Sequence, residues 1–259
     1  MLLAISAGSG LAIAGIYHDA PDWVLQAKAQ DLISFAVVLP VLIFSAIFGS
    51  RGDLWARSIW IGVLAYIVYS YVIAGFDVRF NSLFLIYVAL LGCSLYALIG
   101  GLISIDREKF TMRFPRSTST SFTSAFLLLI AASFYVLWLG DVIRALIAGE
   151  APQTVLTDKL PTNPVQVLDM AWILPALAIA AFCLWRRQLI GYVLAGASLT
   201  FLTLMGLAIL SINVSMNRAG LSVAAPPVIM MIIIVAVSLG FLIWNLKTLR
   251  AFRNGRSFQ

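Results

Sequence analysis

Eight apolar runs, separated by short polar connections, constrain the fold of this chain more than any other feature. The runs cover approximately residues 2–17, 31–49, 58–75, 82–104, 121–147, 165–185, 189–212 and 226–246. A helix needs about 20 apolar residues to cross the hydrocarbon core of a bilayer. Of the 259 residues, 62% are hydrophobic and 11% are charged, whereas soluble domains carry about 25% charged residues. The sequence therefore predicts an all-α membrane protein with eight transmembrane helices and the lipid bilayer as its partner.

Basic residues concentrate in alternate connections and predict the orientation of the helices. They follow the second, fourth, sixth and eighth runs as Arg51 and Arg57; Arg107, Lys109, Arg113 and Arg116; Arg186 and Arg187; and Lys247, Arg250, Arg253 and Arg256. Because cytoplasmic loops are enriched in lysine and arginine, these connections and both termini are expected on the cytoplasmic side. The net charge of +6 then reflects orientation, and no nucleic-acid partner is predicted.

Few residues are suited to metal or redox chemistry. Cys93 and Cys183 each lie alone within an apolar run, and His18 is the only histidine. The sequence has no Walker motif, HExxH motif or GxSxG motif. It therefore predicts no metal and no cofactor, and it leaves open whether the protein is an enzyme.

The first run, 2–17, is short and lacks the basic start of a signal peptide. We expect a retained first helix, which begins upstream of Met1 if the start is misassigned. A cleaved signal peptide is the alternative.

The two halves of the chain carry similar landmarks in the same order. Pro40 and Pro175 each follow an aliphatic pair, and Arg51 and Arg186 lie eleven residues after them. This order of landmarks predicts an internal repeat of four helices.

The repeat divides the chain into two four-helix transmembrane units, residues 1–117 and 118–259. Because four is an even number, both units have the same orientation, as in transporters with parallel repeats. Pro40 and Pro175 are expected to kink their helices. Each kink is either a packing feature or the edge of a cavity lined by opened backbone.

Polar residues near the ends of the runs are the candidates for ligand binding, because ionisable groups deep in a bilayer are costly and usually functional. Asp169 is the main candidate, with Gln166 three residues earlier on the same helix face. Asp31 lies in the corresponding run of the first half. Tyr66 and Tyr69 share a face of the third run, either as buried phenols or as a wall for ligand stacking.

These candidates have simpler interpretations as well. Asp31 also fits a helix N-cap, and Asp169 fits an interfacial carboxylate paired with a basic side chain. Asp141 and Arg144 are expected to pair on one helix face. Asn163, followed by a proline, predicts a capped helix start.

We expect Arg79, Asn81 and Arg144 to line an outward-facing polar vestibule together with Asp169 and Asp31. Each of the three also fits a solvated loop or helix-end residue.

Three stretches, 161–169, 31–40 and 80–87, resemble an uncharacterised family of bacterial multi-pass integral membrane proteins. The resemblance implies a location in the bacterial cytoplasmic (inner) membrane. It implies no activity, substrate or catalytic residue.

Three classes of function follow from these features. The first is binding or transport of a small or lipidic molecule through the vestibule. The second is an intramembrane enzyme that modifies a lipid, with Asp169 as general acid or base. The third is a structural or assembly subunit without a ligand.

Overall fold

The computed structural model describes residues 1–105, 120–152, 155–156 and 160–253. The helices are α1 (Leu2–Ala12), α2 (Pro21–Ile33), π1 (Ser34–Val38), α3 (Leu39–Ser50), α4 (Leu54–Phe76), α5 (Phe84–Ile103), α6 (Ser121–Ala148), α7 (Pro164–Leu168), π2 (Asp169–Ile173), α8 (Leu174–Trp185), α9 (Leu189–Arg218) and α10 (Ala225–Arg253). The all-α prediction is confirmed. The basic residues at 107, 109, 113, 116 and 256 lie outside the described residues.

Within the described residues, seven helices are long and apolar enough to cross a membrane. Two of them are interrupted by π-helical turns: α2–π1–α3 runs continuously over Pro21–Ser50, and α7–π2–α8 over Pro164–Trp185. The helix of the first run is shorter than predicted. It stops at Ala12, because Ile13 is extended and Gly15 takes a positive φ of 75°. At 1.5 Å per residue α1 covers about 16 Å, roughly half of a bilayer core.

Large apolar side chains cover the exposed faces of these helices. On α6, which has the smallest buried share of the seven spans, they include Phe122, Val136, Leu146 and Ile147, all at least 73% exposed. Soluble proteins avoid apolar surfaces of this kind. The arrangement fits helices whose surroundings are lipid.

The described helices fall into two compact units. The first unit comprises the described residues of Met1–Asp106 and Gly196–Gln259, and the second those of Arg107–Ala195. The predicted four-helix repeat, with its boundary at residue 117, stays a prediction.

The ends of α3 and α8 have the same backbone geometry. In the first unit the amide of Gly52 donates to the carbonyl of Gly49 (3.1 Å), and the amide of Asp53 to that of Phe48 (3.3 Å). These two bonds define a Schellman motif, in which the residue after the C-cap is left-handed. Gly52 has a φ of 85° and meets that requirement without strain.

The second unit repeats this motif at positions 135 higher. The amide of Arg187 donates to Leu184 (2.8 Å), and that of Gln188 to Cys183 (3.1 Å). Arg187 occupies the left-handed position with a φ of 59° and is the only non-glycine residue with a positive φ in the described part of the chain.

Each of the two prolines lies two residues after the end of a π-helical turn. Leu39 donates its amide to the carbonyl of Ser34, and Leu174 donates to Asp169, five residues back in each case. The following residue is Pro40 or Pro175, which has no N–H group, so one further carbonyl loses its backbone partner. The expected disturbance of the helix is therefore a local widening that ends at each proline.

Within the first unit, α4 packs closely against the part of α9 that belongs to this unit, residues 196–218. A Cβ atom added to Gly62 would clash with the carbonyl oxygen of Ala197, and one added to Gly196 would clash with the hydroxyl of Ser58. The rings of Tyr69 and Phe201 stack edge to face at 5.6 Å. Small residues at the crossing thus let two buried helices approach closely, as is common in membranes.

Candidate functional site

The most buried carboxylate among the candidates is Asp31, on α2 one turn before π1. The helix begins at Pro21, so Asp31 lies within it and does not cap it. Its side chain is 8% exposed, and its Oδ2 accepts a hydrogen bond of 2.6 Å from the hydroxyl of Tyr17. Lys28 lies near enough to attract the carboxylate, but no described basic residue forms an ion pair with it. A short hydrogen bond thus satisfies one carboxylate oxygen without neutralising the charge.

Tyr17 lies in the connection between α1 and α2. Burial raises the pKa of its phenol above the ordinary value, and the neighbouring carboxylate of Asp31 raises it further. Both effects disfavour the ionised phenol, because it would be desolvated and repelled by the carboxylate. Tyr17 therefore remains a hydrogen-bond donor at neutral pH.

Three more tyrosines surround this pair, from α4 and α5: Tyr66, Tyr71 and Tyr87, which are 1%, 6% and 3% exposed. The rings of Tyr71 and Tyr87 lie 5.9 Å apart. Electrostatic interaction with Asp31 reaches each of the three hydroxyls. We call Asp31 and the four tyrosines the tyrosine–carboxylate cluster.

Several polar atoms of this region are buried without a hydrogen-bond partner among the described residues. They are the hydroxyl oxygens of Tyr66, Tyr87 and Ser70. The Tyr66 hydroxyl approaches Ser34 and Ser70 without reaching hydrogen-bond geometry. Native proteins rarely bury such groups unsatisfied, so water, an ion or a ligand usually accounts for them.

Helix α1 and the loop after it cover one side of the cluster. A Cβ atom on Gly10 would clash with Oδ2 of Asp31 and with the Tyr17 hydroxyl, so only glycine fits there. The loop is held to the α4–α5 turn, because the amide of Arg79 donates to Asp19 (3.0 Å) and Nδ1 of His18 contacts the carbonyl of Phe80 (3.1 Å).

The second unit holds its own polar group near π2. Oδ2 of Asp169 accepts a hydrogen bond of 2.9 Å from the indole of Trp138, and Nε2 of Gln166 donates to Oδ2 of Asp141 at 2.9 Å. Gln166 is 5% exposed. Asn163 caps α7 by accepting from the amides of Val165 and Gln166, as predicted.

A tyrosine of the second unit replaces the donor that Pro175 lacks. In the π-helical pattern the carbonyl of Met170 would accept a hydrogen bond from the amide of residue 175, but Pro175 has no N–H group. The hydroxyl of Tyr135 donates to this carbonyl instead, at 2.8 Å. The freed backbone at Pro175 is therefore satisfied by a side chain, as the absence of water in lipid requires.

The remaining predicted residues have local partners. Asn81 is buried and organises its own turn, since its Oδ1 accepts from the amide of Leu83 and its Nδ2 donates to the carbonyl of Arg79. The expected pairing of Asp141 with Arg144 is wrong: Asp141 accepts from Gln166, and Nε of Arg144 donates to Gly140 on its own helix. Asp31 and Asp169 lie in different units.

Sequence reasoning missed Tyr17, Tyr87 and Trp138 as partners of the candidate carboxylates. The one available signal was compositional: tyrosine and tryptophan side chains bring a polar atom that must find a partner when it is buried. Their sequence separations from the carboxylates, 14 residues for Tyr17 and 31 for Trp138, follow no helical spacing.

Comparisons with known proteins returned no matching family model, no similar curated protein and no similar solved structure.

Proposed function

We propose that this chain is a multi-pass membrane protein that binds and transports a small organic cation, and that Asp31 is the group that binds the charge. The observation that supports this most strongly is a buried carboxylate, without an ion pair to any described basic residue, surrounded by four tyrosines. A buried charge is stable only with a compensating partner. A ligand carrying an ammonium group would supply it.

The chemistry of the tyrosine–carboxylate cluster favours a cation over an anion or a sugar. Aromatic faces attract ammonium groups by cation–π interaction, and they gain most in desolvated sites. The hydroxyls of Tyr66 and Tyr87, which lack partners within the described part of the chain, can accept hydrogen bonds from the N–H groups of such a ligand.

The second unit has a corresponding polar pair beside its own π-helical turn. Asp169 begins π2 and Gln166 lies three residues before it. Ser34 and Asp31 stand in the same positions at π1, 135 residues earlier in each case. The matching Schellman motifs at 52 and 187 also support a repeat.

Thermal unfolding of the purified full-length chain tests the proposal. Methylammonium and tetramethylammonium serve as probes, with sodium as the control for an inorganic ion. We expect the organic cations to stabilise the native protein, by about 2.7 kcal/mol at a hundredfold excess over Kd. Asp31→Asn should abolish this stabilisation.

Asp22→Asn is the matched control, because Asp22 is exposed on the first turn of the same helix. Equal stabilisation of Asp31→Asn and the native chain would contradict the proposal, as would no response to either organic cation. Uptake of a stabilising cation into proteoliposomes then separates transport from binding alone. The lipid-modifying enzyme and the structural subunit stay the alternatives.

We also propose eight spans with both termini in the cytoplasm of a bacterium, in its inner membrane. The alternation of basic connections supports this topology, although Leu2–Ala12 alone is too short to span. Single cysteines at Ser50 and Ser82, both exposed, test the orientation of the span between them in a chain without Cys93 and Cys183. A membrane-impermeant maleimide should label intact cells at 82 and not at 50. The reverse result would invert the topology.

A further inference from the structure

A cleft in the first unit lies near the start of α4, whereas Tyr66 and Tyr71 of the tyrosine–carboxylate cluster lie in the second half of that helix. It has a volume of about 380 Å³, within the range of small-molecule sites. Its floor is α4, with Arg57 and Trp60, and its walls are α3 and α5. Gly49, Gly100 and Gly101 lie in these walls, and the lining is mostly apolar.

The glycines of α5 give the cleft its shape. A Cβ atom on Gly101 would lie 2.7 Å from the Trp60 ring, so the indole packs directly against the backbone there. Gly100 is exposed, and a Cβ atom added to it would meet nothing within 4 Å. The space beside Gly100 is therefore open, and an extended hydrocarbon chain can fill it.

Arg57 places a positive charge at the polar end of this cleft. Its Nη1 donates to the carbonyl of Ser104 at 3.3 Å, a long hydrogen bond that uses one of five guanidinium donors. No described acidic residue forms an ion pair with Arg57. Because Arg57 is three residues after the start of α4, its guanidinium lies near the membrane surface, where lipid phosphates are found.

We propose that this cleft binds an anionic phospholipid, with the phosphate at Arg57 and an acyl chain along Gly100 and Trp60. Guanidinium donors match phosphate oxygens in geometry and charge. Four basic residues between 107 and 116 follow α5 in the sequence. Anionic lipids are enriched where such basic segments meet the membrane.

Fluorescence quenching by brominated lipids tests the proposal with the full chain in phosphatidylcholine vesicles. Brominated acyl chains are supplied either on phosphatidylglycerol or on phosphatidylcholine, and the Trp60 contribution is the difference from a Trp60→Phe variant. We expect phosphatidylglycerol to quench Trp60 at lower mole fractions than phosphatidylcholine. Arg57→Gln should weaken that preference about fivefold, because one basic residue near the surface contributes roughly 1 kcal/mol to binding of anionic lipid.

Two matched controls keep the outcome specific. Gly100→Leu should fill the cleft and remove the preferential quenching, whereas Gly92→Leu, also in open space on α5, should not. Arg51→Gln removes a charge at the same helix end, where Arg51 stacks on Phe48 outside the cleft lining, and should leave the preference intact. Equal quenching of Trp60 by both lipids, or an unchanged preference in Arg57→Gln, would overturn the proposal. The result does not depend on cation binding at Asp31.

Discussion

The hydrogen bond between Tyr17 and Asp31 offers the sharpest test of the tyrosine–carboxylate cluster. Tyr17→Phe removes the donor and leaves the ring in place, while the carboxylate stays buried at 8% exposure. A hydrogen bond to a charged group contributes about 1.5–3 kcal/mol. We therefore expect Tyr17→Phe to lower the free energy of unfolding by about 2 kcal/mol.

A double-mutant cycle with Asp31→Asn isolates this interaction. The asparagine amide keeps an acceptor oxygen but loses the charge. In the Asp31→Asn background, Tyr17→Phe should therefore lower the free energy of unfolding by only about 1 kcal/mol, a value typical of neutral hydrogen bonds. The coupling between the two positions should then be about 1 kcal/mol. Equilibrium unfolding of the purified protein in mixed micelles measures all four free energies.

Tyr96→Phe is the control for loss of a tyrosine hydroxyl, because Tyr96 is 76% exposed on α5. We expect it to change stability by less than about 0.5 kcal/mol. A coupling energy below about 0.3 kcal/mol, which is ordinary additivity, would refute the reasoning. So would a Tyr17→Phe variant as stable as Tyr96→Phe.

The same bond has a pH signature. The pKa of Tyr17 is raised by burial and by Asp31, so the folded protein holds this proton more tightly than the unfolded chain does. The stabilisation is fully present below the unfolded pKa of about 10 and is lost as the pH rises above it. Native protein should therefore lose stability above about pH 10 more steeply than Tyr17→Phe. Parallel pH profiles would argue against a buried Tyr17 phenol.

Three further predictions concern packing and backbone geometry. Gly62→Ala should destabilise the protein by about 1–3 kcal/mol, because a backbone carbonyl of α9 blocks the added methyl group. Gly92 faces open space, so Gly92→Ala should leave the stability unchanged, and thermal denaturation compares the two variants. Tyr135→Phe should lower the free energy of unfolding by about 1 kcal/mol in the native chain, and by less in a Pro175→Ala background, because alanine restores the backbone donor. Equal losses in the two backgrounds, measured by the same unfolding assay, would refute this. Arg187→Gly should stabilise the protein by up to about 1 kcal/mol by relieving a left-handed residue, and a lower melting temperature would contradict it.

Local sequence signals predicted local structure well. Asn163 followed by proline predicted the capped start of α7, and Pro40 and Pro175 marked the two interrupted helices. Bounds were less accurate where polarity changed within a helix. The second apolar run predicted a helix from about residue 31, but the helix begins at Pro21, because its first turns are helical although they are polar.

The sequence by itself determined that the chain forms apolar helices long enough for a membrane, since hydropathy and length decide that property. Only the tertiary structure decided which residues meet: Asp31 with Tyr17, Gln166 with Asp141, and Arg57 at the end of an apolar cleft. The physical reason is that lipid is as apolar as a protein core. A transmembrane helix therefore needs no polar face, and its pattern does not indicate which side packs against a neighbour.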